Sequence, residues 1–209
     1  PKSPKPLPKT LTLAEVDALL EVAKTHGKTK FEKARNRCLM ELLYASGMRI
    51  SELMSLPVAT VRGKPQMILI KGKGSKERLV PLSPPAIDAL DDWLKVRDEN
   101  ENLSIKEGSQ KSSFLFPSNS KNGYLTRNWF FNKIKSWAVM AGVKTERVSP
   151  HTIRHAFATH LLSNGADLRV IQTLLGHSDI TTTEIYTHIV NDKLKSTLDD
   201  HHPLSTKSK

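Results

Sequence analysis

Helix punctuation recurs along this chain and leaves little room for another backbone. Thr12 and Glu15 stand three apart at the head of TLAEVDALLEVAKTHG, the arrangement of a capping box, and Gly27 closes the segment. FEKARNRCLMELLYASG follows, with Leu39, Leu42 and Leu43 on one face and Gly47 as its stop; RISELMSL is a short third helix ended by Pro57. Further along, Ser83-Pro84 opens PAIDALDDWLKVRDE and Thr126 opens RNWFFNKIKSWAVMAG, closed by Gly142. Ser149-Pro150 starts a helix that ends at Gly165, Asp167 opens LRVIQTLLG up to Gly176, and Thr181 with Glu184 opens the helix that holds Tyr186.

One stretch breaks the helical period. QMILIKGKGSKERLVPL is two β-rich runs around a Gly-Lys-Gly-Ser turn, a hairpin signal. FLFPS is a short strand at most, and the polar run from Asn100 to Ser113 is expected to be a surface loop. The expected fold is therefore mainly α with a small antiparallel β-sheet (α+β). It occupies residues 10–209 as one domain, behind a basic, Pro-rich linker at residues 1–9, PKSPKPLPK, which cannot form a helix or a packed strand.

Charge narrows the partner. Thirty-two Lys and Arg against twenty-one Asp and Glu give a net +11, with a pI near 9.8. A surface this basic favours polyanions, nucleic acid first and anionic membrane second. No apolar run approaches a membrane span and no signal peptide opens the sequence. Cys38, the only cysteine, sits on an apolar helical face, where a small buried hydrophobe is the expected role; its solitude fits a reducing, cytoplasmic setting.

The chemistry gathers in HTIRHAFATHLLSNGADLRVIQTLLGHSDITTTEIYTH, from His151 to His188. His151 and Arg154 share a helical face, and His151 lies in the first turn, where free N–H groups and the helix dipole favour an anion. His151 and His155 have the spacing of two zinc ligands, but Thr152 stands where the general-base Glu of such a site would be, and Arg154 would set a permanent charge beside the metal. An Arg buried without a carboxylate needs an anion, and phosphate matches the guanidinium fork. Arg49, in YASGMRISEL, is a second candidate for that anion, although a salt bridge to Glu52 one turn on is the reading preferred on local grounds. Lys73 lies in the hairpin turn with Lys71 and Lys76 beside it, as solvated lysines or as a probe for a DNA groove. Tyr186 is an amphipathic anchor on the ordinary reading; as a nucleophile, it would need the field of these cations.

ASGMRISEL, KGKGSKERLVPL, SPHTIRHAFATHLLSNGADLRVIQTLLGHSDITTTEIYTH and the closing HHPL together resemble the catalytic domain of tyrosine site-specific recombinases, the phage-integrase family, and within it the XerC/XerD type. The resemblance runs from about Thr10 to Leu204. It implies Tyr186 as the nucleophile that forms a 3′-phosphotyrosyl link, Arg49 and Arg154 as the pair on the nonbridging oxygens, and His151 as general base. His177 would be a further phosphate donor and Lys73 the general acid for the 5′-oxygen. Lys71, Lys76 and Arg78 are expected DNA contacts. No cofactor is implied, because fixed positive donors around the phosphorane take the place of a metal ion. The implied partners are double-stranded DNA and, through the segment Asn191 to Leu204, a second protomer in a ring of four on DNA; no membrane is involved. The family also carries an N-terminal DNA-clamping domain, so the chain is expected to be a catalytic fragment of a longer protein.

Three other readings are open on the residues. A type IB topoisomerase-like nicking-closing enzyme uses similar side chains, although the LLGHSDITTTEIYTH spelling favours a recombinase. A non-catalytic DNA-binding regulator would leave the His and Tyr incidental. A phosphate-ester hydrolase lacks carboxylate metal ligands at useful spacing.

Overall fold

The computed structural model describes residues 10–72, 77–176 and 200. Along them the chain forms α1 (Leu13–Thr25), α2 (Lys30–Ser46), α3 (Ile50–Met54), β1 (Met67–Lys71), β2 (Glu77–Pro81), α4 (Pro84–Lys106), α5 (Arg127–Met140), α6 (Pro150–Ser163) and α7 (Leu168–Leu175). The expected α+β class is what forms: helices around a single antiparallel hairpin, registered from Met67 opposite Pro81 to Lys71 opposite Glu77.

The caps that the sequence announces are made. The Thr12 hydroxyl accepts the Glu15 N–H at 3.1 Å while the Glu15 carboxylate accepts the Thr12 N–H at 2.8 Å. Ser149 and Thr152 do the same at the head of α6, and the Asp167 carboxylate accepts the Arg169 N–H at α7. Each bond satisfies a donor that a helix start would otherwise leave open.

α2 is the centre of the core. Cys38, Leu39, Met40 and every residue from Leu42 to Ser46 are buried, so its last turns are covered on all sides rather than along one stripe. α1, α4 and α6 pack around it. Cys38 lies fully buried, where desolvation pushes its thiol well up, as its place on an apolar face leads one to expect.

One sequence expectation is corrected. Residues 100–106 are not loop; α4 continues through them, 23 residues or about 35 Å in all. The cause is Arg97, 1% exposed, whose guanidinium donates to Glu101 one turn on and to the carbonyls of Ser112 and Phe114. Glu101 in turn accepts the Ser112 N–H at 2.8 Å. A buried charge so fully bonded pins the helix end, even though Leu103 and Ile105 beyond it are exposed. FLFPS makes only isolated bridges, Pro57 with Phe114 and Pro117 with Tyr124.

Residues 10 and 11, which lead into α1, are tied to α6 and the turn before it. Arg147 donates to the Thr10 carbonyl at 3.0 Å and to Glu15 at 2.5 Å, and His160 bonds the Leu11 carbonyl at 2.8 Å. The other nitrogen of His160 meets the Tyr44 hydroxyl at 2.9 Å. The carbonyl can only accept, so Nε2 carries the proton and Nδ1 accepts from tyrosine. The α2–α6 contact is thereby fixed in register by a satisfied buried pair, with His160 held neutral by burial.

Candidate active site

α2 ends because Gly47 turns into the left-handed region, φ 58° and ψ 20°. That turn is tight on both sides. A Cβ there would lie 2.3 and 2.6 Å from the ring of Phe157 on α6, so only glycine lets the two helices approach this closely. Met48 buries its side chain, and Arg49 stands at the head of α3.

Arg154 comes to the same place from the second turn of α6. It is 7% exposed, and its guanidinium donates to the Gly47 carbonyl and, at 2.6 Å, to the carbonyl of Leu175 at the end of α7. It bonds no carboxylate among the described residues. Desolvation is the main cause that lowers its pKa to about 10, and the charges of Arg49 and Arg78 push the same way against a smaller pull from Glu52. It therefore stays protonated at neutral pH, as the sequence reading of a buried Arg in need of an anion requires.

Arg49 makes the salt bridge to Glu52 that the sequence favours on local grounds. Its Nη1 donates to Glu52 at 3.1 Å and its backbone N–H to the same carboxylate at 2.7 Å. The side chain is nonetheless 41% exposed, so its remaining donors face outward.

Arg78, expected as a DNA contact, is turned inward: its side chain is 9% exposed, and both terminal nitrogens grip Glu52, at 2.9 and 2.8 Å. Its Nε donates to the Leu174 carbonyl at 2.9 Å. Glu52 is thus the hub that sequence reasoning treated only as a local partner. Burial alone would raise its carboxyl; the Arg78 hydrogen bonds, the Arg49 N–H and the Arg78 charge outweigh that and lower it. Glu52 caps its own short helix yet is only 8% exposed, and a carboxylate so placed needs cationic partners; the cap was legible in the sequence, the burial was not.

The remaining residues divide. His151 is exposed in the first turn of α6, one turn from Arg154. Lys71 is 75% exposed at the end of β1, 3.7 Å from Glu77. Lys73, Lys76, His177, Tyr186 and the segment Asn191 to Leu204 lie outside the described residues, as does the stretch 1–9. α7 runs to Leu175 with Gly176 as its left-handed stop, and β1 and β2 lead to Gly72 and from Glu77, so the described scaffold fixes the points from which Lys73 and His177 depart.

Among the described residues, three guanidiniums against one carboxylate leave two positive charges at the meeting of α2, α3, α6, α7 and β2. A surface that holds one arginine buried on backbone carbonyls and a second exposed beside it is a cradle for an oxyanion with two oxygens to grip. The class defined is an α+β domain with a cationic junction of arginines between its helices and its hairpin. The comparisons agree: the family model described as the phage integrase family matches residues 9–193, and the chain belongs to that family. It is 47% identical over 213 residues to a tyrosine recombinase XerD of Rhizobium meliloti, covering 100% of this chain and 66% of that protein. A tyrosine recombinase XerD of Vibrio cholerae is 44% identical over 203 residues, 97% of this chain and 64% of that one. Among solved structures, the XerA recombinase superposes with a TM-score of 0.70 at 31% identity, covering 97% and 67%. The XerH site-specific recombinase bound to difH substrate in a pre-cleavage complex gives 0.68 at 28%, covering 91% and 50%. The chain thus spans about two thirds of the length of these XerD relatives. None of the described helices is long and apolar enough to cross a membrane.

Proposed function

We propose that this chain cuts and rejoins DNA strands at specific sites through a covalent tyrosine intermediate. The observation that carries the reading is Arg154, charged, buried and, among the described residues, held by backbone carbonyls rather than a carboxylate, beside Arg49. Such a pair is preorganised for the extra negative charge of a pentacoordinate phosphate. XerH, in this fold, is described in both pre-cleavage and post-cleavage complexes with its DNA, which supports the same substrate class here.

In the proposed reaction the Tyr186 oxygen attacks the scissile phosphorus. A new Tyr O–P bond forms at the 3′ side, the P–O5′ bond breaks, and the tyrosine proton passes to His151 while Lys73 gives one to the departing 5′-oxygen. Arg49, Arg154 and His177 hold the nonbridging oxygens. The phosphodiester energy is kept in the tyrosyl ester, so religation by a 5′-hydroxyl simply reverses the step and needs no nucleotide. Lys71 and Lys76 would follow the DNA backbone. Assembly of four protomers on DNA through residues 191–204, and action in the cytoplasm where such DNA lies, complete the proposal.

The test is incubation with a nicked duplex that loses its 5′-hydroxyl fragment on cleavage, followed by denaturing electrophoresis. A slow-migrating protein–DNA band that disappears in Tyr186→Phe supports the reading. An adduct of unchanged yield in that variant refutes it.

A further inference from the structure

We infer that Arg78 is a positioning residue for this reaction, which sets the direction of Arg49 by occupying Glu52 and anchors the end of α7 that leads into His177. The inference rests on the strand-cleavage reading of the site and assigns a role to a side chain that touches no substrate in it.

Three bonds carry the argument. Two terminal nitrogens of Arg78 take both oxygens of Glu52, and Nε takes the Leu174 carbonyl. Glu52 Oε1 is shared with Arg49 Nη1 at 3.1 Å, and Oε2 with the Arg49 backbone N–H. With Arg78 in place, Glu52 has little charge left to compete with a phosphate for Arg49. Remove Arg78, and a buried carboxylate with one cation beside it draws Arg49 inward and repels the incoming anion. The same guanidinium lies under Gly176, where a Cβ would come within 3.2 Å of its Cδ and Nη1. Arg78 thus joins β2, five residues on from Lys73, to α3 and to the end of α7. An ammonium cannot span these acceptors, because a carboxylate fork and a separate carbonyl need the planar guanidinium.

The test uses single-turnover adduct formation on the nicked duplex at saturating protein, with DNA affinity measured separately by anisotropy. Arg78→Lys and Arg78→Met are each expected to slow adduct formation ~100-fold, the scale of one lost preorganised donor, with DNA affinity within about threefold of the parent's. Arg78→Met with Glu52→Gln should recover about tenfold over Arg78→Met, because the stray carboxylate is gone. A merely structural arginine predicts the opposite, a double variant no faster than the single. Either that result or cleavage by Arg78→Lys at the parental rate overturns the inference. Hydrogen exchange separates this from failure of the cleavage reading: Arg78→Lys should raise exchange in 67–71, 77–81 and 168–176 and leave α1 and α4 at the parental level. A parent that forms no adduct counts against strand cleavage while this arm still reads; unchanged or uniformly raised exchange counts against Arg78.

Discussion

Gly47→Ala puts the largest local stress on the site for the smallest chemical change. The native φ of 58° is a left-handed conformation that costs an L-residue about 1 kcal/mol. The added methyl would stand 2.3 Å from Phe157 Cδ1 and 2.6 Å from Cε1, on a ring that is fully buried and cannot swing away. Overpacking of that kind costs about 1–3 kcal/mol. The sum, about 2–4 kcal/mol, corresponds to a melting temperature lowered by roughly 5–15 °C in a domain of this size. Gly142 supplies the control. Its φ is 68°, but an added Cβ meets nothing within 4 Å, so Gly142→Ala should show the conformational part alone, about 1 kcal/mol. Both are read by urea unfolding with fluorescence detection. Since the Gly47 carbonyl also accepts from Arg154, Gly47→Ala should lose adduct formation beyond what its unfolded fraction explains. Equal destabilisation by the two substitutions would refute the close approach of α2 and α6 as the reason for glycine.

Other consequences follow from the same contacts. Arg154→Met should cut adduct formation by ~100-fold or more yet leave stability within about 1 kcal/mol, because holding the charged group where burial lowers its pKa to about 10 costs roughly 3 kcal/mol, similar to what its two carbonyl bonds contribute; a large loss of stability on urea unfolding would show that the charge is already compensated. His160 is held neutral below its ordinary 6.5, so the unfolded chain binds the extra proton first and stability should fall as pH drops below about 6.5. His160→Gln should be less stable at pH 7.5 but lose less between pH 7.5 and 5, and an unchanged pH dependence in urea titrations would contradict the Tyr44–His160–Leu11 arrangement. Lys71→Ala should reduce the salt slope of DNA binding by about 0.9 while Arg78→Met leaves it unaltered; a reduced slope for Arg78→Met would return that residue to the groove.

How much of this was legible in the sequence depends on whether the cause was local. Caps are local, and Thr12, Thr126, Ser149 and Asp167 all open the helices assigned to them. The hairpin and the fully buried Cys38 were legible for the same reason, since alternation and an apolar face are short-range patterns. The end of α4 was not, because the groups that hold it, Ser112 and Phe114, lie beyond the helix and act through Arg97. Arg78 shows the limit most clearly. On the sequence it is one more cation on a basic hairpin, and only the meeting of β2 with α3 and α7 reveals an acceptor for every nitrogen it uses. His160 failed to register for a like reason, its partners being 116 and 149 residues away.

That same distinction explains the division of labour among the arginines. Arg78 and Arg154 are both buried, but among the described residues Arg78 is given a carboxylate and Arg154 only carbonyls. A carbonyl orients a guanidinium without cancelling its charge, so Arg154 keeps its attraction for an anion while losing its freedom to move. Arg49, exposed and sharing one oxygen of an already occupied Glu52, is oriented without being neutralised. Geometry is supplied from groups that cannot compete with phosphate, or that a further cation has been set to satisfy. On the proposed reading, a site arranged so spends stability on a buried charge that has no carboxylate partner among the described residues, and gains a cradle set in advance for phosphate.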